Sequence, residues 1–156
     1  MASTITAAPL VVKITETLNL NGKEQGSTHT KSLSGIKQWT RRIASVTTTE
    51  STLLEFAAAQ ASGDNTIKYD EAKVKYVRIT NLESDAVTLA IVNSDDDEVA
   101  SFLLAGGCSY VLFDVAAAFG TTDANTTTPT ADGDIGIIKA DASTGTVDVE
   151  VIVATT

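Results

Sequence analysis

Few side chains in this chain of 156 residues can do covalent or metal chemistry, and they lie far apart in sequence. There is one histidine, His29, and one cysteine, Cys108. A single imidazole excludes every metal site that needs two from one chain. A single thiol cannot close an internal disulfide. Cys108 follows Gly106-Gly107 in an apolar, Gly-rich stretch and is expected to be a small buried side chain. Ser101, Ser109 and the many threonines are nucleophiles only beside a base. The sole imidazole sits in a polar run, and no G-x-S-x-G elbow exists. Gly106-Gly107 lacks the following lysine and helix of a phosphate loop, so it reads as a turn.

The densest carboxylates are Asp95-Asp96-Asp97-Glu98. Hard cations favour clustered oxygens, but consecutive residues of an extended chain point in opposite directions, and EF-hand spacing is missing. A solvated hairpin tip is the expectation. Asp132-Gly133-Asp134 reads the same way, with a weaker case for metal. A carboxylate pair of the glycosidase kind is conceivable among 20 acids, but such sites usually offer aromatic platforms and only 5% of the chain is aromatic. Catalytic, cofactor and metal residues are therefore expected to be none, and the chain is not expected to be an enzyme.

One local group combines aromatic and basic side chains: Trp39 with Arg41 and Arg42. Trp and Arg are enriched at interface hot spots. Two readings stand side by side: an interface anchor, or a core Trp39 with arginines paired to surface acids. Ala7, Ala8 and Pro9 join this candidate interface. They end a small, uncharged N-terminal stretch, residues 1–9, read as a flexible arm that is frayed or ordered against a neighbouring subunit.

These residues must be carried by strands. Threonine fills about 15% of the chain, and its branched Cβ favours extended backbone. Leu10, Val12, Ile14, Leu18 and Leu20 recur with a period of two, as in a strand with one buried face. Asn21-Gly22 then predicts a tight hairpin, returning through a polar strand from about Lys23 to Leu33 that suits a sheet edge or a partner-covered surface. Ser34-Gly35 punctuates the chain before an extended Ile36–Val46. Thr52–Phe56 reads as a strand, and Ala57–Ala61 as the main helix-prone piece. Strands follow over Val74–Asn81, Val87–Val92, Glu98–Leu104, Ser109–Phe113 and Ile135–Lys139. A long surface loop spans Asp114–Asp134, and Asp141–Gly145 is a turn. The closing strand alternates Val147, Val149, Val151 and Val153 with Asp148, Glu150, Ile152 and Ala154. Short strands at such spacing mark a sandwich or barrel. The expected fold is all-β: an antiparallel β-sandwich, jelly-roll-like, with eight or nine strands over residues 10–156. An immunoglobulin-like sandwich is the rival.

The net charge of −9 disfavours nucleic acid and anionic membrane surfaces as partners. No run reaches the roughly 18 apolar residues of a membrane helix, and no basic leader precedes Ala7–Val12, so the chain is expected to fold in a cytoplasm.

The stretches ITETLNLNG, VKYVRITNL, VTLAIVNSDDDEVASFLLAGGCSYVL and VDVEVIVAT closely resemble small virion proteins of tailed bacteriophages, especially marine and cyanobacterial phages. The resemblance runs from about Ile5 to Thr156 and rests on strand-and-turn patterns. It implies a capsid decoration (cement) protein that binds the major capsid protein or other virion subunits, made in the host cytoplasm and located in the virion. A homo-oligomer, with a trimer favoured, suits the symmetry of capsids. Another head, tail or fibre-base component comes second, and a carbohydrate-binding jelly-roll module third. The resemblance transfers no catalytic residue and no cofactor.

Overall fold

The structure, a computed structural model, describes residues 5–57, 68–94, 99–113, 115 and 134–156. Chain order gives β1 (Ala8–Thr15), β2 (Asn19–Leu20), β3 (Lys23–Glu24), β4 (Thr28–Ile36), β5 (Gln38–Thr47) and β6 (Ser51–Glu55). A single 3-10 turn at Glu71–Lys73 leads into β7 (Val74–Asn81). Then come β8 (Val87–Asn93), β9 (Val99–Leu104), β10 (Ser109–Leu112), β11 (Ile135–Ala142) and β12 (Thr146–Thr155).

Eight of these strands form two four-stranded antiparallel sheets, ordered β10-β7-β12-β5 and β6-β11-β8-β9. Counted along the sandwich alone, the first sheet holds strands 6-3-8-1 and the second 2-7-4-5. Chain neighbours such as β5 and β6 lie in opposite sheets, and this alternation is the jelly roll. The expected all-β sandwich is therefore what the chain adopts. The remaining four strands form a separate ribbon: β1 pairs with β4, and β2 with β3. The sandwich strands themselves begin at Gln38.

The core lies between the sheets. Val147, Val149, Val151 and Val153 of β12 are each at most 1% exposed and face Leu89, Ile91 and Ile138 of the second sheet within one buried cluster. Each such side chain contributes about 1.5–3 kcal/mol relative to an exposed one. One polar side chain sits at the rim of this core. Asn81, fully buried, donates from Nδ2 to the carbonyls of Asp85 at 2.7 Å and Leu104 at 3.1 Å, and its Oδ1 accepts from the Glu83 amide at 3.0 Å. It ties the β7–β8 turn to the end of β9. Gly106 lies over the same turn: a Cβ there would meet the carbonyls of Ser84 and Glu83 at 2.5 and 2.6 Å.

Several expectations change in detail. Asn21 and Gly22 do form the hairpin turn, both with positive φ (52° and 76°). The run from Leu10 to Leu20, however, has a buried face only near its base. Leu10 and Val12 are half-buried, whereas Ile14, Leu18 and Leu20 are about half exposed, because no sandwich lies beneath them. Ser34-Gly35 does not end a strand. The ladder shifts register there, from Ala8↔Ile36 to Leu10↔Leu33, and Gly35 takes φ 80°, so the step is a bulge. Strand β11 runs on to Ala142, leaving Ser143–Gly145 as the turn. Cys108 is exposed rather than buried, because it sits at a surface turn where its amide bonds the Ala105 carbonyl at 3.1 Å. The acidic run Asp95–Glu98 lies outside the described residues. So do all but Ala57 of Ala57–Ala61, and all but Val115 and Asp134 between Asp114 and Asp134.

Replacing Asn81 with Leu orphans the Leu104 carbonyl in a buried position and the Asp85 carbonyl and Glu83 amide in partly buried ones. Each orphaned group costs about 1–3 kcal/mol, so N81L is expected to lose at least about 2 kcal/mol. Urea unfolding should show a lowered midpoint at unchanged slope.

Candidate interaction face

The outer face of the β10-β7-β12-β5 sheet collects the side chains that point away from the core. Alternation puts Trp39, Arg41, Ile43 and Ser45 of β5 there, beside Asp148, Glu150, Ile152 and Ala154 of β12. Tyr76, Arg78 and Thr80 of β7 follow, then Ser109 and Val111 of β10. The face divides into a polar half and an apolar half.

Glu150 centres the polar half. Its side chain is only 7% exposed and is held by two arginines from the flanking strands. Nε and Nη2 of Arg41 both donate to Oε1 at 2.5 Å, and Nη2 of Arg78 donates to Oε2. Nε of Arg78 is buried with no hydrogen-bond partner in the protein. The Arg41 hydrogen bonds, joined by those from Arg78, hold the Glu150 carboxyl below the usual glutamate range against the opposing effect of burial. Nearby, Ser45 Oγ donates to Asp148 Oδ1 at 2.6 Å, and the Thr80 and Ser109 hydroxyls lie 2.8 Å apart.

The apolar half is where the ribbon is rooted. Ile36, Tyr76, Ile152 and Ala154 form a second buried cluster, with Leu10, Val12, Leu33, Val111 and Phe113 packed against it. Trp39, 50% exposed, stacks on Tyr76 with ring centroids 6.4 Å apart and planes 12° from parallel. Tyr76 in turn meets Phe113 at 5.8 Å. Burial pushes the Tyr76 hydroxyl above the ordinary tyrosine range, with Arg78 pulling the other way.

The candidate interface residues thus separate. Trp39 and Arg41 share the outer face; Arg42, next in sequence, points to the opposite side. Its Nη2 donates to the Leu53 carbonyl across the open edge between β5 and β6. There it helps line a cavity of about 640 Å³ with Gln38, Thr40, Thr52, Leu53, Glu55 and Tyr69. Ala7, Ala8 and Pro9 are exposed at the ribbon's root. Ala8 stands opposite Ile36, so these residues come to the same end of the face as Trp39. Pro9 falls in the register shift, where a missing amide is tolerated.

Sequence reasoning missed Glu150 and Arg78 as a pair and the ribbon as a projecting element. From Ala8 to Leu20 the ribbon reaches roughly 40 Å at about 3.3 Å per residue. Among the described residues, four of the ten exposed large hydrophobics lie between Ala8 and Leu20: Val11, Ile14, Leu18 and Leu20. A polar return strand behind an apolar one was the available signal. Glu24 stiffens the tip by accepting from the Gly26 and Leu18 amides at 2.9 and 3.3 Å, and Ser27 donates to Glu16 at 2.6 Å. Among the described residues, no cluster of three or more His, Cys, Asp or Glu is placed to hold a metal ion, and no helix is long and apolar enough to cross a membrane.

Two substitutions probe this face. Trp39→Ala removes a half-exposed stacked ring and is expected to cost about 1 kcal/mol in a melting or urea curve, leaving the domain folded. Glu150→Gln leaves two arginines facing each other without a counter-charge and lowers stability at pH 7. Because folding depresses the Glu150 pKa, its contribution is present above the unfolded glutamate value of 4.5 and is lost as pH falls through the folded value. The gap in urea midpoint between wild type and E150Q should therefore be widest near neutrality and narrow progressively below about pH 4.5.

In comparisons with known proteins, no family model matches the chain, and neither a curated protein nor a solved structure matches it.

Proposed function

We propose that this protein is a structural subunit of a tailed-phage virion, and specifically a capsid decoration protein that binds an assembled shell by non-covalent contacts. The resemblance of its strand-and-turn stretches to small virion proteins supports this reading. The observation that carries it is the ribbon: rooted on the rigid sandwich at Leu10, Val12 and Leu33, it runs on exposed from Lys13 to Leu20, roughly 23 Å at about 3.3 Å per residue. Exposed apolar surface of this kind marks contact sites. A subunit that adheres to a lattice gains from many weak contacts made together, and a long projection lets one copy reach more than one neighbour. The major capsid protein is the proposed partner, and Trp39, Arg41 and Ala7–Pro9 lie where the root of the ribbon meets the sandwich. A head–tail or fibre-base position is the alternative within the virion. The cavity beside Arg42 and Glu55 favours a carbohydrate-binding module as a second reading, which a glycan array on the purified protein would reveal as a sugar-specific signal.

Quantitative mass spectrometry of gradient-purified particles tests the proposal. Hundreds of copies per particle are expected of a decoration protein. A few multiples of six would move it to a head–tail or fibre-base position, and absence from particles would remove the virion reading altogether.

A further inference from the structure

The core-facing side of β5 changes character along its length. Alternation puts Gln38, Thr40, Arg42, Ala44 and Val46 on that side. Val46 belongs to the core and Ala44 packs against it, whereas the three before them are polar. Their neighbours on β12 stay apolar: Val151 stands beside Arg42 and Val153 beside Thr40, both buried. Polar side chains at inward positions break the pattern that makes a sandwich, and such breaks are expected where a site is built. Here the break coincides with the cavity of about 640 Å³ at the open edge between β5 and β6, a size that suits a small organic ligand.

The charges of the cavity are unequally satisfied. Glu55 is half-buried and already held by Lys68 Nζ at 2.7 Å. Arg42 is exposed at the mouth, and among the described residues no carboxylate pairs with it. Acids nonetheless outnumber bases 20 to 11 in the chain, and Arg41 and Arg78 both engage Glu150. The bond from Arg42 to the Leu53 carbonyl uses only part of the guanidinium's donor set. That bond orients the fork and leaves N–H groups for a carboxylate, which a planar guanidinium takes up bidentately. Thr40, Thr52 and Gln38 add neutral hydroxyls and an amide to the wall. Tyr69 adds a ring that is held in place. Its amide donates to the Glu55 carbonyl at 2.9 Å, its carbonyl accepts from the Ala57 amide at 2.9 Å, and its side chain packs against the core.

We propose that this cavity binds a carboxylated sugar, with Arg42 holding the carboxylate and Tyr69 meeting the apolar face of the sugar ring. The threonine hydroxyls and the Gln38 amide take the sugar hydroxyls. A neutral sugar leaves the Arg42 fork unengaged, so the acid group sets the selectivity. This ligand class rests on the carbohydrate reading of the cavity and stands apart from the virion reading.

Amide NMR titration of the purified full chain with D-glucuronate, N-acetylneuraminate, D-glucose and acetate, at constant ionic strength, tests this. One or both sugar acids are expected to shift the amides of Arg42, Leu53 and Tyr69. They should bind at least about tenfold more tightly than glucose or acetate, as a charge-assisted pair predicts. Arg42→Gln should remove that advantage, and Thr52→Val should weaken glucose and sugar acids alike. Both side chains are exposed, so the melting transition serves as the folding control and should stay in place. Equal affinity for glucose and the sugar acids would overturn the acid preference while keeping the carbohydrate reading. Acetate bound as tightly as the sugar acids would overturn the proposal in favour of a plain anion site. No shift with any of the four would overturn it outright, and the glycan array then decides the carbohydrate reading separately. An inward-pointing arginine can also blunt an open sheet edge. If R42Q self-associates in sedimentation while wild type binds no sugar acid, Arg42 guards the edge and the proposal fails.

Discussion

Strand β12 is covered on both faces, and much of the molecule follows from that. It is hydrogen-bonded to β5 on one side and β7 on the other. Its four valines fill the space between the sheets, which leaves Glu150, Ile152 and Ala154 on the far side. All three are also buried, although among the described residues no third four-stranded sheet lies over them. The cover is assembled from two sources. Arg41 and Arg78 close over Glu150 from the flanking strands, while the ribbon's root and Tyr76 close over Ile152 and Ala154. A carboxylate so enclosed is tolerable only with both its oxygens engaged, since burial penalises an unpaired charge heavily. The clamp and the rooted ribbon are thus two solutions, one polar and one apolar, to the same exposure of a central strand.

The topology then decides what is presented outward. Strand β5 begins where β12 ends, because Gln38 pairs with Thr155, and the ribbon enters at that end. The turns after β7, β9 and β11 gather at the opposite end, where Asn81 and Gly106 hold two of them together. The sandwich supplies rigidity, and the ribbon supplies reach. Among the described residues, Ile14, Leu18 and Leu20 of the outer ribbon stay about half exposed and belong to neither buried cluster, so these apolar side chains do not serve the core.

Much of the sandwich was legible in sequence because its strands obey a period of two with both neighbours in place. VKYVRITN matches β7 residue for residue, and VDVEVIVAT falls wholly within β12. The same rule failed in the ribbon. Alternation at Leu10–Leu20 states that one face is apolar but not what covers it, and cover exists only at the root. Glu150 was invisible for a different reason. In VDVEVIVAT it reads as part of a wet face, and the groups that bury it stand 109 and 72 residues away. Arg41 and Arg42, grouped because they are adjacent, are separated by the very alternation that identified their strand. Cys108 was misplaced because an apolar neighbourhood in sequence became a surface turn in space.

The contact between the β9–β10 and β7–β8 turns limits how this chain can drift over generations. Gly106 lies against the carbonyls of Glu83 and Ser84 with no room for even a methyl group, and Asn81 anchors both connections from below. An inserted or deleted residue in either connection would break that fit. Descendants of this sequence should therefore preserve the number of residues from Asn81 to Val87 and from Leu104 to Ser109 even where the side chains between them are replaced, so that spacing outlasts identity as the mark of common ancestry.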